Sequence, residues 1–214
     1  MATIPGMARM DPRTAESVQA YEANAVAYEE AWRERRLRDA VKRFGSYAGR
    51  GVDVLDVACG PALDTRLLRD QGLHAVAGDL AWECMRVGKT LHPKGSLVQW
   101  DFRRLPFADG TFGGVWAPAA LQHLPRAEIR PVLAEWRRVQ RRGPIFVSLP
   151  EGDAELVAFD DPPAGEVYVT KVSADELRAL LLAAGYEQVE VERRPDLAER
   201  PGIVWLHALA LLPG

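Results

Sequence analysis

The sequence predicts a doubly wound α/β fold, in which helices flank a mainly parallel sheet. Three observations predict it. Short runs rich in valine alternate with segments of helical periodicity between residues 50 and 150. A glycine-containing turn follows the first of these runs, at the place where open α/β sheets bind ligands. The 214 residues, 48% of them hydrophobic and 27% charged, suit a single globular domain over residues 1–214.

Before the predicted sheet, the chain divides into a leader and a helical segment. Residues 1–13 contain Pro5, Gly6 and Pro12 and are expected to form a loose leader. Residues 14–45, rich in Ala, Glu and Arg, predict one or two helices that form a lid. Tyr21 and Tyr28, seven positions apart, are expected to pack this helix on the core. A lid role, with their ring faces near a cationic ligand, is the alternative.

Strands and helices alternate through residues 50–150, the predicted ligand-binding core. Strands are predicted at 52–57, 74–79, 96–101, 111–117 and 143–150. Helices are predicted at 63–71, 81–91 and 126–139. Because parallel strands joined by helices all run the same way, their carboxyl ends meet at one edge of the sheet.

The remaining residues, 151–214, are predicted to contain an insert, a helix and a terminal hairpin. Residues 151–164 are acidic and proline-containing and predict a loop, and 166–172 has the pattern of an extra strand. Ser173 begins a helix, because Glu176 three positions later completes a capping box. Segments 186–194 and 202–212, with no helix between them, predict an antiparallel hairpin at the sheet edge.

Composition excludes several classes of protein. With a net charge of -3, the chain lacks the excess of basic residues that is typical of a nucleic-acid binder. Cys59 and Cys84 are the two cysteines, too few for a zinc cage, so no metal site is expected. There is no apolar run of membrane-spanning length and no signal-peptide pattern. We therefore expect a cytoplasmic protein with neither membrane nor nucleic-acid partners, as a monomer or a homodimer.

The stretch VLDVACGPALDT, residues 54–65, carries the clearest functional pattern. Asp56 lies near the end of the first strand, and Ala58, Cys59, Gly60 and Pro61 form the tight turn after it. The dinucleotide fingerprint GxGxxG is absent, which disfavours a nicotinamide-dependent oxidoreductase. A carboxylate at the start of the loop would repel a diphosphate but suits a ligand with an ammonium group. S-adenosylmethionine is such a ligand.

Two more carboxylates end the next two predicted strands. Asp79, 23 positions after Asp56 and followed by Leu80, could accept both hydroxyls of a ribose. Asp101 could accept the exocyclic amine of adenine, and Phe102 offers an amide donor and an apolar face. A lone Asp after a strand is more often a turn former, but three in this order form one constellation.

These stretches resemble the class I methyltransferases that act on small molecules, including the ubiquinone-biosynthesis type. VLDVACGPALDT is similar to the family's first motif, AVAGDLAWECM to its second-strand motif, and LVQWDFRRLPFADGTFGGVWAPAALQHL to the stretch reaching the fourth strand. The resemblance implies a Rossmann-like, mainly parallel seven-stranded sheet flanked by helices, with a C-terminal antiparallel hairpin. It also implies S-adenosyl-L-methionine as methyl donor, S-adenosyl-L-homocysteine as product and a small molecule as methyl acceptor.

The resemblance also suggests residues for catalysis and cofactor binding. His123, just after the fourth strand, is the candidate general base if the acceptor is a hydroxyl, with a packing role as the alternative. Trp116 is expected in the sheet core. Ala58 and Ala62 replace family glycines, so a catalytically inactive adenosine-binding module is the alternative function. The cofactor-binding candidates are Asp56, Ala58, Cys59, Gly60, Pro61, Asp79, Leu80, Asp101, Phe102 and Ala117.

Overall fold

The computed structural model describes residues 10–91 and 97–213. The helices of this part are α1 (Pro12–Ala23), α2 (Ala25–Trp32), α3 (Arg38–Ala48), α4 (Leu63–Asp70), α5 (Trp82–Leu91), α6 (Arg126–Val139) and α7 (Ala174–Ala183). The strands are β1 (Asp53–Asp56), β2 (His74–Asp79), β3 (Leu97–Gln99), β4 (Val115–Pro118), β5 (Gly143–Pro150), β6 (Ala154–Asp161), β7 (Gly165–Lys171), β8 (Glu187–Pro195) and β9 (Val204–Leu212). One short 3-10 helix, Leu121–His123, follows β4.

The main sheet has seven strands in the order β3-β2-β1-β4-β5-β9-β8. Strands β1 to β5 pair in parallel, whereas β9 is antiparallel to both β5 and β8. The strand order reverses between β1 and β4, which opens a crevice at their carboxyl ends. The predicted doubly wound sheet with a C-terminal antiparallel hairpin is confirmed.

Side chains from both faces of the sheet build the core. Leu55 of β1 is fully buried in a cluster with Ile145 and Trp136, and Val54 is fully buried in a second cluster with Phe44. Because neighbouring residues of a strand point to opposite faces, helices must cover both faces. Each such side chain contributes about 1.5–3 kcal/mol by leaving water. Burial on both faces explains why β1 reads as a continuous apolar run.

The N-terminal segment differs from the predicted one or two helices. It forms α1, α2 and α3, and α1 begins at Pro12, with the Asp11 carboxylate accepting from the Arg13 amide. Asn24 separates α1 from α2, and its side-chain amide donates to the carbonyls of Ala20 and Ala164. Tyr21 and Tyr28 therefore lie on different helices. The expected leader falls mostly on residues 1–9, which lie outside the described residues.

The predicted loop at 151–164 contains a strand instead. β6 pairs antiparallel with β7, the expected extra strand, in a separate two-stranded sheet. Phe159 and Asp161 are buried, whereas Ala158 and Asp160 between them are exposed. Only one face of β6 needs apolar residues, and its other face is exposed. The acidic residues of this segment therefore favoured a loop in the sequence prediction although the segment forms a strand.

The predicted start of α7 at Ser173 is confirmed. The Ser173 hydroxyl accepts from the Glu176 amide at the start of α7. At the end of α6, Arg137 donates to the Gln140 carbonyl, and Arg138 pairs with Asp109 at 2.7 Å. Across the described ranges, no helix combines the length and the apolar character needed to cross a membrane.

Candidate functional site

A cavity lies at the carboxyl ends of the parallel strands, with residues of α1 and α2 among its lining. Most of the cofactor-binding candidates line it. His123, the candidate base, lines the same cavity. The candidates brought together there are Asp56, Ala58, Cys59, Gly60, Pro61, Asp79, Leu80, Asp101 and Phe102.

Ala117 is the exception among the candidates. It is 0% exposed and packs in the hydrophobic core, whereas Pro118, the last residue of β4, and Ala119 and Ala120 after it line the cavity. Successive strand residues point to opposite faces, so neighbouring residues at the end of β4 can differ, one lying in the core and the next at the cavity. Trp116 is also fully buried and stacks on Phe146, with the ring centroids 4.3 Å apart, which confirms its place in the core.

The loop after β1 has the backbone shape that glycine favours. Gly60 has φ +50° and Ala62 has φ +58°, both in the left-handed region. Ala62 holds this conformation at a cost of about 1–2 kcal/mol, since its Cβ crowds the backbone. It is 1% exposed and packs beside Cys59 and Met85, which offsets the strain. The alanine at this family glycine position is thus accommodated by packing.

Asp79 joins this loop to the end of β2. Its Oδ2 accepts from the Gly60 amide and its Oδ1 from the Ala81 amide, each at 2.8 Å. Burial raises the pKa of Asp79, and the two amides oppose that rise. Each carboxylate oxygen keeps a second lone pair, so the group can still accept hydroxyl donors from a ligand.

Asp56 is the most buried carboxyl of the constellation, at 1% exposure. Burial raises its pKa to about 8, although the Thr65 hydroxyl, donating at 2.6 Å, lowers it. The group is therefore mostly protonated at pH 7 in the free protein. A cation placed beside it would favour the charged form and release the proton.

Asp101 is held by an arginine that the sequence analysis did not single out. Arg103 Nη2 donates to Asp101 Oδ2 at 2.7 Å, and Arg103 Nε lies 3.0 Å from Oδ1. This forked pair fixes the carboxylate at the cavity wall. The spacing of two residues in WDFR was the signal that could have revealed it.

A second group of polar side chains faces the cavity around His123. Its Nδ1 lies 3.1 Å from the Tyr168 carbonyl, so Nδ1 carries the proton and Nε2 keeps a lone pair. Burial lowers the pKa of His123 to about 4, which leaves it neutral at pH 7. Tyr21, on α1, contributes a hydroxyl 3.4 Å from Nε2 that donates to Asp161 Oδ2 at 2.9 Å.

Asp161 belongs to an ion-pair network that sequence patterns did not reveal. Arg200 donates to Asp161 Oδ1 at 2.9 Å and to both oxygens of Asp196, and Trp205 Nε1 donates to Asp196 Oδ1 at 2.8 Å. All four residues line the cavity. Asp196, Arg200 and Trp205 lie within ten residues of one another, but Asp161 comes from a separate part of the chain, so no local spacing links it to them.

Residues 54–143 match the family model described as a methyltransferase domain. This stretch contains the glycine loop, Asp56, Asp79, Asp101 and His123. Residues 54–143 form a methyltransferase domain.

Two curated methyltransferases share part of this sequence. Malonyl-(acyl-carrier protein) O-methyltransferase from Enterobacter lignolyticus is 27% identical over 60% of this chain and 53% of its own length. Demethylmenaquinone methyltransferase from Beutenbergia cavernae is 33% identical over 53% of this chain and 43% of its own length. The chain thus spans about half the length of the curated relatives it matches.

A solved methyltransferase structure shares the fold over nearly the whole chain. It is 1,6-didemethyltoxoflavin-N1-methyltransferase from Burkholderia thailandensis, with bound 1,6-didemethyltoxoflavin and S-adenosylhomocysteine. The TM-score is 0.73 and the identity 21%, with 95% of this chain and 91% of that chain covered. At this identity the likeness shows the fold.

The cavity residues fit S-adenosylmethionine, the methyl donor of this family. Its ammonium group suits the buried carboxyl of Asp56, and its ribose suits the free lone pairs of Asp79. Its carboxylate needs a cation, and Arg35 and Arg36 line the cavity. Burial lowers the pKa of Arg36, and the charge of Asp64 opposes this. Polar residues suited to the amino-acid and ribose parts of the cofactor therefore line one cavity.

Proposed function

We propose that this protein transfers a methyl group from S-adenosyl-L-methionine to an oxygen, nitrogen or carbon atom of a small molecule. One observation carries the proposal: Asp56, Asp79 and Asp101, which follow three successive strands, line one cavity with the glycine loop. The family of residues 54–143 supports the same activity.

The chain's own residues contribute binding and positioning. Asp79 is expected to accept the ribose hydroxyls, Phe102 to face the adenine, and Asp56 to hold the ammonium group. Leu80 and the loop residues Ala58 to Pro61 complete this wall. Because both ends of the cofactor would be held, its reactive centre would be fixed relative to the acceptor.

When bound, the cofactor would supply a sulfonium methyl group, whose carbon the acceptor atom attacks in line with the carbon–sulfur bond; that bond breaks and S-adenosyl-L-homocysteine leaves. Alignment of this kind lowers barriers by up to about 7–11 kcal/mol. His123 is neutral and lines the cavity, so its Nε2 can accept a proton from an acceptor O–H or N–H that replaces the Gln122 N–H, which lies 3.3 Å from it. Its low pKa makes it a weak base, which suits an acceptor that loses its proton readily.

Calorimetric titration tests the binding half of the proposal. The purified protein, stripped of ligand, is titrated with S-adenosyl-L-methionine and separately with NADH. We expect binding of the methyl donor alone, weakened at least about tenfold in Asp79→Ala, because the ribose hydroxyls lose their acceptor. Asp70→Ala is the control, since Asp70 is an exposed residue of α4 with a 3.9 Å ion pair to Arg66. No binding of the methyl donor would refute the proposal.

A methyl-transfer assay tests the catalytic half. Small-molecule acceptors are screened with methyl-labelled S-adenosyl-L-methionine, and labelled product would establish transfer. Cofactor binding without transfer to any acceptor would favour the inactive adenosine-binding module over the enzyme.

We further propose that the protein acts in the cytoplasm without nucleic acid, as a monomer or a homodimer. The net charge of -3 and the two buried free thiols, Cys59 and Cys84, support this environment. Sedimentation at two protein concentrations would distinguish monomer from dimer.

A further inference from the structure

Two buried polar atoms lack a hydrogen-bond partner, and both belong to the cavity lining. Within residues 10–91 and 97–213, these are the donor Nε1 of Trp32 and the acceptor Oε1 of Gln122. Folded proteins pair nearly all buried polar groups. Two unpaired polar atoms in residues of one cavity wall therefore make these residues candidates for contact with a bound molecule.

The orientation of the Gln122 amide follows from its neighbour. His123 donates from Nδ1 to the Tyr168 carbonyl, so its Nε2 can only accept. Gln122 Nε2 lies 3.3 Å from that atom and must be the donor. A flipped amide would set two acceptors against each other. The network thus leaves Oε1, and not the nitrogen, as the unpaired atom.

Aromatic rings surround this part of the cavity. The ring centroids of Tyr21 and His123 are 5.5 Å apart, and those of Tyr21 and Tyr28 are 5.1 Å apart. Trp32 follows Tyr28 at 5.9 Å, and Phe159 of β6 also lines the cavity. Edge and face contacts with such rings favour a flat aromatic ligand. Gln122 is 3% exposed, so a group that pairs with it is shielded from water.

We propose that Gln122 selects the methyl acceptor: its Oε1 accepts a hydrogen bond from an N–H or O–H group of a flat aromatic or heteroaromatic molecule. This inference rests on the proposed function and names the substrate class of the same site. An analogue without that donor leaves Oε1 unpaired, and sites built around a hydrogen bond reject such analogues strongly.

A matched pair of probes tests this assignment. The protein is saturated with S-adenosyl-L-homocysteine and titrated with 2-quinolone or with N-methyl-2-quinolone, which replaces the N–H donor by N–CH3. We expect wild type to bind 2-quinolone at least about tenfold more tightly, the worth of one buried hydrogen bond. In Gln122→Met, which keeps the side-chain length without polar atoms, the ratio should fall to about twofold or less.

Two controls separate selection from structure. Gln122→Glu keeps an oxygen acceptor and should retain the preference for 2-quinolone. Gln122→Met should keep the S-adenosyl-L-homocysteine affinity, because Gln122 is not among the cofactor-binding candidates, whereas its melting temperature is expected to fall, because His123 Nε2 loses the Gln122 N–H donor.

The outcomes distinguish this inference from the proposed function. If wild type fails to bind S-adenosyl-L-homocysteine, both are refuted. If it binds that ligand but shows no preference between the quinolones, the inference alone is refuted. The inference alone is also refuted if the preference for 2-quinolone survives in Gln122→Met, because the N-methyl group would then be rejected by shape. It is likewise refuted if Gln122→Met weakens S-adenosyl-L-homocysteine binding tenfold.

Discussion

Two cavity side chains, Asp56 and His123, are buried deeply enough to change their protonation. Burial raises the pKa of Asp56 to about 8 and lowers that of His123 to about 4, so both are largely uncharged at pH 7. In each case the neutral form avoids the cost of a buried charge. A charged ligand in the cavity can therefore change the protonation state of either side chain.

Cofactor binding should release a proton from Asp56. At pH 7 an ammonium group beside the carboxyl would favour its charged form, with up to about one proton released. Titration of S-adenosyl-L-homocysteine in phosphate and in Tris should therefore give different enthalpies, whereas adenosine, which lacks the amino-acid tail, should give equal ones. Asp56→Asn should abolish the difference. Equal enthalpies for wild type would contradict the ammonium contact.

His123 should make the protein less stable in mild acid. Between pH 6.5 and about 4 the unfolded chain binds a proton at this residue and the folded protein does not. Stability from this group is therefore complete above pH 6.5 and is lost as the pH falls toward 4. Urea unfolding at pH 7 and pH 5 should show a smaller loss in His123→Asn, whose amide can replace Nδ1–H. An unchanged loss would place the acid sensitivity elsewhere, for example at His207, whose pKa burial also lowers to about 4.

Among the elements, α1 and α5 are joined by a cap from a distant part of the chain. The Glu22 carboxylate accepts from the amides of Trp82 and Glu83 at 2.7 and 2.6 Å, at the first turn of α5. A carboxylate there satisfies unpaired amides and complements the helix dipole. The same contact holds α1 beside the cavity.

Removing this cap should loosen both helices. Glu22→Ala is expected to lower the free energy of unfolding by about 0.5–2 kcal/mol. Hydrogen exchange should accelerate at the first amides of α5 and along α1. Glu30→Ala, an exposed residue of α2, should change neither. Protection of α5 that is unchanged in Glu22→Ala would show that the cap is not stabilising.

Among the strands, β6 is one that the sequence patterns did not predict. The parallel strands β1, β4 and β5 were predictable because burial on both faces demands continuous apolar runs. β6 is buried on one face only, and two of its core-facing neighbours are supplied by α1, through Ala20 and Tyr21. Its partner surface is thus set by tertiary contacts that no local pattern encodes.

For the whole molecule, the Arg200 network ties the C-terminal part to β6 and α1. Asp161 and Asp196 are 6% and 5% exposed, and Arg200 is the cation that pairs with both. Tyr21 of α1 donates to the same Asp161. One side of the cavity therefore depends on contacts between three distant segments.

Arg200→Met should destabilise the fold by about 3–5 kcal/mol, because two buried carboxylates lose their cation. Chemical unfolding would measure the loss. Arg193→Met is the matched control: Arg193 pairs with Glu151 at 2.7 Å but is 65% exposed, and such pairs are worth about 1 kcal/mol or less. Equal losses in the two variants would show that the buried network adds nothing.

The candidate site was predictable in part, for a physical reason. Asp56, Asp79 and Asp101 lie at strand ends, where local sequence and sheet topology fix position together. Tyr21, Asp161 and Arg200 reach the cavity only through packing between distant segments, so their spacing carries no signal. Ala117 lies in the core and not at the cavity, because strand alternation decides between the two within one residue.

The two sides of the cavity have different origins along the chain. The cofactor candidates from Asp56 to Phe102 come from one continuous run, whereas Tyr21, Gln122, Phe159 and Arg200 come from separate segments. Because of this division, the scattered residues could be varied in laboratory evolution while the cofactor-binding run is kept. Libraries confined to the scattered side could be recombined, or the β6–β7 hairpin grafted from another member of the family, while the inherited donor-binding run stays untouched. New acceptor specificities could then be selected without rebuilding the use of the cofactor.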